Sequence, residues 1–129
     1  MKGSQGCLLI GNSRWHWAVE KNQEWQYFHT SPDQTSLNDL DIAFFRWAAV
    51  GPIPKRSYLK DKEKIVIHDL PMFKKVDWLG IDRAFAAIGA LKNKKFAENN
   101  PKGIWIVDAG TICSLTRITN TGEFIGGQL

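Results

Sequence analysis

One pattern constrains this chain more than any other, because it occurs twice. Near each end a run of four apolar residues meets a glycine-containing polar turn, and two more strand-like runs follow. In the first copy Cys7 to Ile10 runs into Gly11-Asn12-Ser13, Arg14 to Val19 alternates with period two, and Glu24 to His29 follows a polar turn at Glu20-Lys21-Asn22-Gln23. In the second, Ile104 to Val107 runs into Asp108-Ala109-Gly110-Thr111, then come Ile112 to Ile118, a turn at Thr119-Asn120-Thr121-Gly122, and Glu123 to Ile125. Short alternating runs separated by Gly, Asn and Ser read as antiparallel strands. Near-duplication of such a meander predicts two related subdomains facing each other across a cleft. The expected boundaries are 1–102 for the first and 103–129 for the start of the second.

The residues between the copies supply the helical part. Thr30 to Asp41 is polar and suits a loop with a short helix beginning near Ser31, and Ile42 to Val50 reads as a buried strand stopped by Gly51-Pro52-Ile53-Pro54. Lys55 to Lys64 is charged enough for a surface helix, and Ile65 to His68 for a short strand after it, which would make a βαβ unit. Pro71 to Leu79 is a loop carrying Phe73 and Trp78. From Asp82, DRAFAAIGALKNKKF places Phe85, Ile88, Leu91 and Phe96 near helical spacing, with Asp82 as the natural N-cap and Asn99-Asn100-Pro101-Lys102-Gly103 as the stop.

Composition narrows the function classes. With 43% apolar and 23% charged residues in 129, the chain reads as globular, and no apolar run approaches the ~20 residues of a membrane helix. The start, MKGSQGCLLIGNS, lacks the features of a secretory signal, so a cytoplasmic location is the expectation, with no membrane partner. Two cysteines, Cys7 and Cys113, lie in apolar runs without a CxxC or a nearby histidine and read as buried, reduced thiols. A net charge of +4 with lysines at 74, 75, 92, 94 and 95 fits an anionic substrate or a polyanion. The six tryptophans are scattered through apolar runs as core residues would be, which argues against a nucleic-acid partner. His16, His29 and His68 show no ligand spacing to one another and read as structural or surface residues.

Two stretches hold residues suited to phosphate chemistry. Asp108-Ala109-Gly110-Thr111 puts a carboxylate, a hydroxyl and unobstructed backbone N–H groups at one sheet edge, which suits a phosphate and its cation; the same residues also fit a plain strand end opening a hairpin. Asp82-Arg83 puts an acid beside a guanidinium that can pair with a carboxylate through two parallel bonds, although an aspartate at a helix start commonly serves only as a cap.

Taken together, Ile10-Gly11-Asn12-Ser13, Gly80-Ile81-Asp82-Arg83, Asp108-Ala109-Gly110-Thr111 and Gly126-Gly127 stand in the order found in type III pantothenate kinases, and the chain resembles that family along essentially its whole length. The resemblance implies an α/β fold of the acetate and sugar kinase, actin and heat-shock-chaperone superfamily. It implies an RNase-H-like (actin-like ATPase) subdomain with a mixed sheet and flanking helices, plus the first strands of a second, with a C-terminal segment of the family lacking. The activity it implies is ATP-dependent phosphorylation of pantothenate to 4'-phosphopantothenate, the first step of coenzyme A biosynthesis, with Mg2+, a monovalent cation (K+ or NH4+) and a homodimer in the full-length family.

Carried over by motif, Asp82 is the catalytic base, while Phe73, Gly80, Ile81 and Arg83 contact the substrate. Gly11, Asn12, Ser13, Gly110, Thr111, Gly126 and Gly127 contact ATP, and Asp108 holds the monovalent cation. Two positions depart from the family: Leu9 stands where the first turn has an aspartate near the magnesium, and Phe73 where a tyrosine is frequent. The alternatives are a truncated, inactive fragment or partner-dependent half of such a kinase, and a nucleotide- or polyanion-binding module.

Overall fold

The computed structural model describes residues 4–37, 42–55, 59–110 and 112–129. They form an α/β protein of two units, one ending at Ile65 and the other beginning at Val66.

The first unit is a mixed four-stranded sheet. Strands β1 (Gln5–Ile10), β2 (Trp15–Lys21) and β3 (Glu24–Thr30) form the expected antiparallel meander, and β4 (Phe44–Ala49) lies parallel to β1, giving the order β3-β2-β1-β4. Period-two alternation gives the sheet one apolar face. Leu8, Ile10, Trp15, Trp17 and Trp47 share that face and form the unit's core with Leu37, lined by Phe45, Ala49 and Leu59. Two of the core indoles have hydrogen-bond partners: Trp17 Nε1 donates to Thr30 Oγ1 at 3.1 Å and Trp47 Nε1 to the Lys60 carbonyl at 3.0 Å.

Several expectations are corrected here. Strand β4 is an edge, so only Trp47 and Ala48 are buried while Phe44 is 67% exposed. The polar stretch after β3 holds a 3-10 turn at Gln34–Leu37, and its residues 38–41 lie outside the described residues. Of the stretch Lys55 to Lys64, expected as a charged helix, residues 56–58 lie outside the described residues, and the described remainder holds one 3-10 turn, Asp61–Glu63. The segment lacks an apolar stripe to offset the cost of helix nucleation. Nor do Ile65 to His68 make a strand. Lys64 makes a single bridge to Trp47, and then Asp69 takes the Val66 N–H at 2.8 Å, closing a 3-10 turn at Ile67–Asp69. Among the described residues this stretch accordingly shows no βαβ unit.

The second unit is a three-stranded antiparallel sheet, β5 (Ile104–Ala109), β6 (Cys113–Ile118) and β7 (Phe124–Gln128) in that order, with α1 (Ile81–Lys92) packed on β5 and β6. Ala84 and Ala87, fully buried, let the helix approach the sheet closely. This packing joins the helix to the second sheet, so the units part at Ile65/Val66 rather than at the 102/103 boundary drawn from the strand repeat. The long helix expected to run from Asp82 to Phe96 is broken at Asn93, and a short α2 (Lys94–Asn99) follows. Like charges at Lys92 and Lys95, three positions apart on one face, disfavour its continuation.

Both cysteines are exposed, not buried. Cys7 alternates out of register with the buried Leu8 and Ile10, so its side chain belongs to the sheet's outer face. Three of the tryptophans are core residues, but Trp25, Trp78 and Trp105 are 42%, 63% and 56% exposed. No helix among the described residues is long and apolar enough to cross a membrane.

Candidate active site

In the first unit, the residues expected to meet ATP form the tight link between β1 and β2. The Gly11 N–H donates to the Arg14 carbonyl at 3.0 Å, and a Cβ on Gly11 would stand 2.6 Å from that same oxygen. Only glycine fits there. The chain after β4 seals the turn from below, because the Val50 and Gly51 N–H groups both donate to the Ile10 carbonyl, at 2.9 and 3.0 Å. Asn12 and Ser13 are left exposed at the tip. Leu9, half-buried, brings no charge to this end of the sheet.

In the second unit the expected base motif opens α1. The N-cap is Gly80 rather than Asp82, which stands inside the first turn. Asp82 still does a cap's work, since its Oδ1 accepts the Arg83 backbone N–H at 2.8 Å. A Cβ on Gly80 would lie 2.5 Å from that oxygen, so the glycine keeps space for the carboxylate. Ile81 is buried in the unit's core.

Arg83 is one of three buried polar residues among the described residues, with Ser114 and Thr116. It is only 6% exposed, its Nε donates to Thr116 Oγ1 at 2.9 Å, and its Nη2 donates to the Leu115 carbonyl at 2.8 Å. Its guanidinium carbon lies 6.0 Å from the centre of the Trp78 ring, which packs edge-on against Phe124. Among the described residues Arg83 makes no ion pair. A buried cation held only by neutral acceptors retains strong affinity for an anion.

The glycine pair serves this arrangement. Gly126 has φ +132°, and a Cβ on Gly127 would collide with both the Leu115 carbonyl and the Arg83 guanidinium. Gly127 lies opposite Thr116 in the ladder, so its missing side chain is the space the arginine occupies. Nothing in the local sequence around Arg83 points to Thr116, Leu115 or Trp78 as its neighbours. The signal was present in β6, where the alternation turns two polar residues, Ser114 and Thr116, to the buried side.

Asp108 is exposed near the end of β5, opposite Ser114, and Gly110 N–H donates to the Ile112 carbonyl at 3.3 Å. Thr111 lies outside the described residues. Phe73 is 65% exposed and bound by backbone hydrogen bonds to Gly122 and Phe124, at 2.9 and 3.0 Å, with Lys74 paired to Glu123. This fixes it beside the β6–β7 turn, whereas Asp108 and Gly110 flank the other end of β6. About five residues of strand, roughly 17 Å, separate the two ends. The structure thus unites Asp82, Arg83 and Gly127, keeps Asp108 with Gly110, and leaves Phe73 apart from the latter pair. No group of three or more His, Cys, Asp or Glu side chains gathers among the described residues.

The chain is an α/β protein with a glycine turn after its first strand and an acid–arginine pair opening a helix. No family model matches it. It is 32% identical over 127 residues to a type III pantothenate kinase of Thermosynechococcus vestitus, covering 95% of this chain and 48% of the relative. It is 24% identical over 143 residues to the type III pantothenate kinase of Synechococcus elongatus, covering 98% of this chain and 56% of the relative. The chain is thus similar to type III pantothenate kinases along nearly all of its own length, and it spans about half the length of the curated relatives it matches.

Proposed function

We propose that the chain carries the substrate and phosphate elements of an ATP-dependent pantothenate kinase, with an RNase-H-like (actin-like ATPase) fold. The observation that supports this reading most is the pair at the start of α1: a half-buried Asp82 beside an Arg83 that is buried without an acidic partner among the described residues. Pantothenate offers a carboxylate for the arginine and a primary hydroxyl for the aspartate. In the proposed step Asp82 accepts the hydroxyl proton, the freed oxygen bonds to the γ-phosphorus of ATP, and the bond from that phosphorus to the bridging β,γ-oxygen breaks, releasing ADP. Gly11, Asn12, Ser13, Gly110, Thr111, Gly126 and Gly127 are the proposed ATP contacts, because glycine backbone approaches phosphate closely.

Cations fit this residue set in a limited way. Mg2+ keeps most of its waters and is commonly bound through one or two carboxylates plus the phosphates themselves, so the absence of a carboxylate at Leu9 is compatible with an ion that arrives on ATP. Asp108 is the residue that would hold a monovalent cation. When bound, such cations neutralise charge on the phosphates; positioning of the two reactants falls to Asp82, Arg83 and the glycine turns.

The test is pantothenate-dependent ADP release. Turnover that falls by about 10²–10⁴-fold in Asp82→Asn is expected from loss of a general base. ADP release indifferent to pantothenate, or equal in the two proteins, would remove the kinase reading for this chain.

A further inference from the structure

We propose that His16 and His29 form a two-imidazole site for a transition-metal dication of the Cu2+, Ni2+ and Zn2+ class on the outer face of the first unit's sheet. The proposal uses none of the residues assigned to the kinase reading and is independent of it.

The sequence separates these histidines by thirteen positions, and the hairpin brings them together. Asn22 and Gln23 have φ of 53° and 68°, the left-handed pair that makes a two-residue hairpin turn whose twist matches its strands. That turn closes on Lys21↔Glu24 and sets the register all the way to His16↔His29. Antiparallel pairs alternate between those that exchange backbone hydrogen bonds and those that do not. Counting from the closing pair, His16↔His29 falls among the latter, where Cα atoms are only about 4.5 Å apart and side chains stand closest. Both residues are exposed, and their ring centres are 6.1 Å apart, tilted by 54°.

That separation suits a shared ion. Imidazole nitrogens bind Zn2+ at about 2.0–2.1 Å, so each ring centre stands roughly 3 Å from the metal, and two rings on one ion are about 5–6 Å apart. Small side-chain rotations suffice. Leu9, directly across from His16 on β1, and Ala18 and Tyr27 in the next row of the same face offer no carboxylate. The donor set is therefore all nitrogen, which favours Cu2+ over Ni2+ and Zn2+ and disfavours Mg2+ and Ca2+. Water completes the coordination. On the other side His16 Nε2 stands 3.7 Å from the position a Gly11 Cβ would take, so the site borders the β1–β2 turn.

The test is calorimetric titration of the full chain, free of any histidine tag, with Ni2+ and Cu2+. One ion per chain is expected, with affinity reduced at least about tenfold in either His16→Asn or His29→Asn and unchanged in His68→Asn. No binding, or equal weakening in His68→Asn, overturns the proposal. Because a variant could disturb the hairpin, paramagnetic broadening of the unaltered chain by substoichiometric Ni2+ provides a second measurement. Broadening centred on His16, Tyr27 and His29 supports the site; broadening centred on the N-terminus or on His68 overturns it.

Discussion

Gly127 has no space for even one methyl group, because the Leu115 carbonyl and the Arg83 guanidinium already fill it. Gly127→Ala should destabilise the second unit by about 1–3 kcal/mol, the cost of overpacking a filled site, as measured by denaturant unfolding. Arg83 should also lose order, so its Nε–H resonance, held by Thr116 at 2.9 Å, should broaden or shift. An unchanged midpoint and an unchanged Nε–H signal would refute the close packing. A second residue-scale prediction concerns charge. Asp33 accepts the Thr35 hydroxyl at 2.6 Å and the Thr35 N–H at 2.9 Å, and these bonds hold its carboxyl below the ordinary range. A depressed carboxyl contributes stability above its unfolded pKa and loses that contribution as pH falls through its folded value. Thr35→Ala removes the side-chain bond, the larger cause, so an NMR titration should place the Asp33 midpoint higher in the variant than in the parent.

At the scale of elements, the strands were legible because alternation is a local property, while other features depended on what each segment meets. The meander Gln5–Thr30 and the strands after Ile104 were readable from period-two runs and their turns. The edge position of β4 was not, since Phe44 and Trp47 look equally apolar in sequence and only pairing shows which one is exposed. The helix–sheet grouping that carries Arg83 to Thr116 spans thirty-three positions, and no local pattern encodes it. The motif Gly80-Ile81-Asp82-Arg83 was visible as chemistry; the cap assignment within it shifted from Asp82 to Gly80. The opposed histidines were within reach, because a two-residue turn at Asn22-Gln23 dictates which residues face each other. That turn yields its own prediction. Gln23 at φ 68° bears the left-handed cost of roughly 1–2 kcal/mol that glycine avoids, partly offset by the entropy glycine loses on folding. Gln23→Gly should therefore stabilise the first unit by about 0.5–1 kcal/mol. A lower midpoint in thermal unfolding would count against the turn geometry.

Across the whole molecule the division at Ile65/Val66 gives each unit its own apolar centre: Leu8, Ile10, Trp15, Trp17, Leu37 and Trp47 in one, and Ala84, Ala87, Ile118 and Phe124 among the buried residues of the other. Regions with separate cores can open separately, and amide exchange reads their stabilities one by one. Trp47 is 3% exposed, anchors β4 against β1, and binds the Lys60 carbonyl through its indole N–H. Truncating it to alanine should cost about 3–5 kcal/mol, since a large buried ring is replaced by a cavity that the sheet cannot close. If the cores are independent, Trp47→Ala accelerates exchange at the amides of Leu8, Ile10 and Trp17 and leaves those of Ala87, Thr116 and Ile118 as slow as in the parent. Gly127→Ala should produce the converse pattern, with faster exchange around Thr116 and none around Leu8. A uniform acceleration in both variants would mean that the two sheets unfold as one cooperative body, and the candidate phosphate turn at Gly11 would then share its stability with the pair at Asp82 and Arg83.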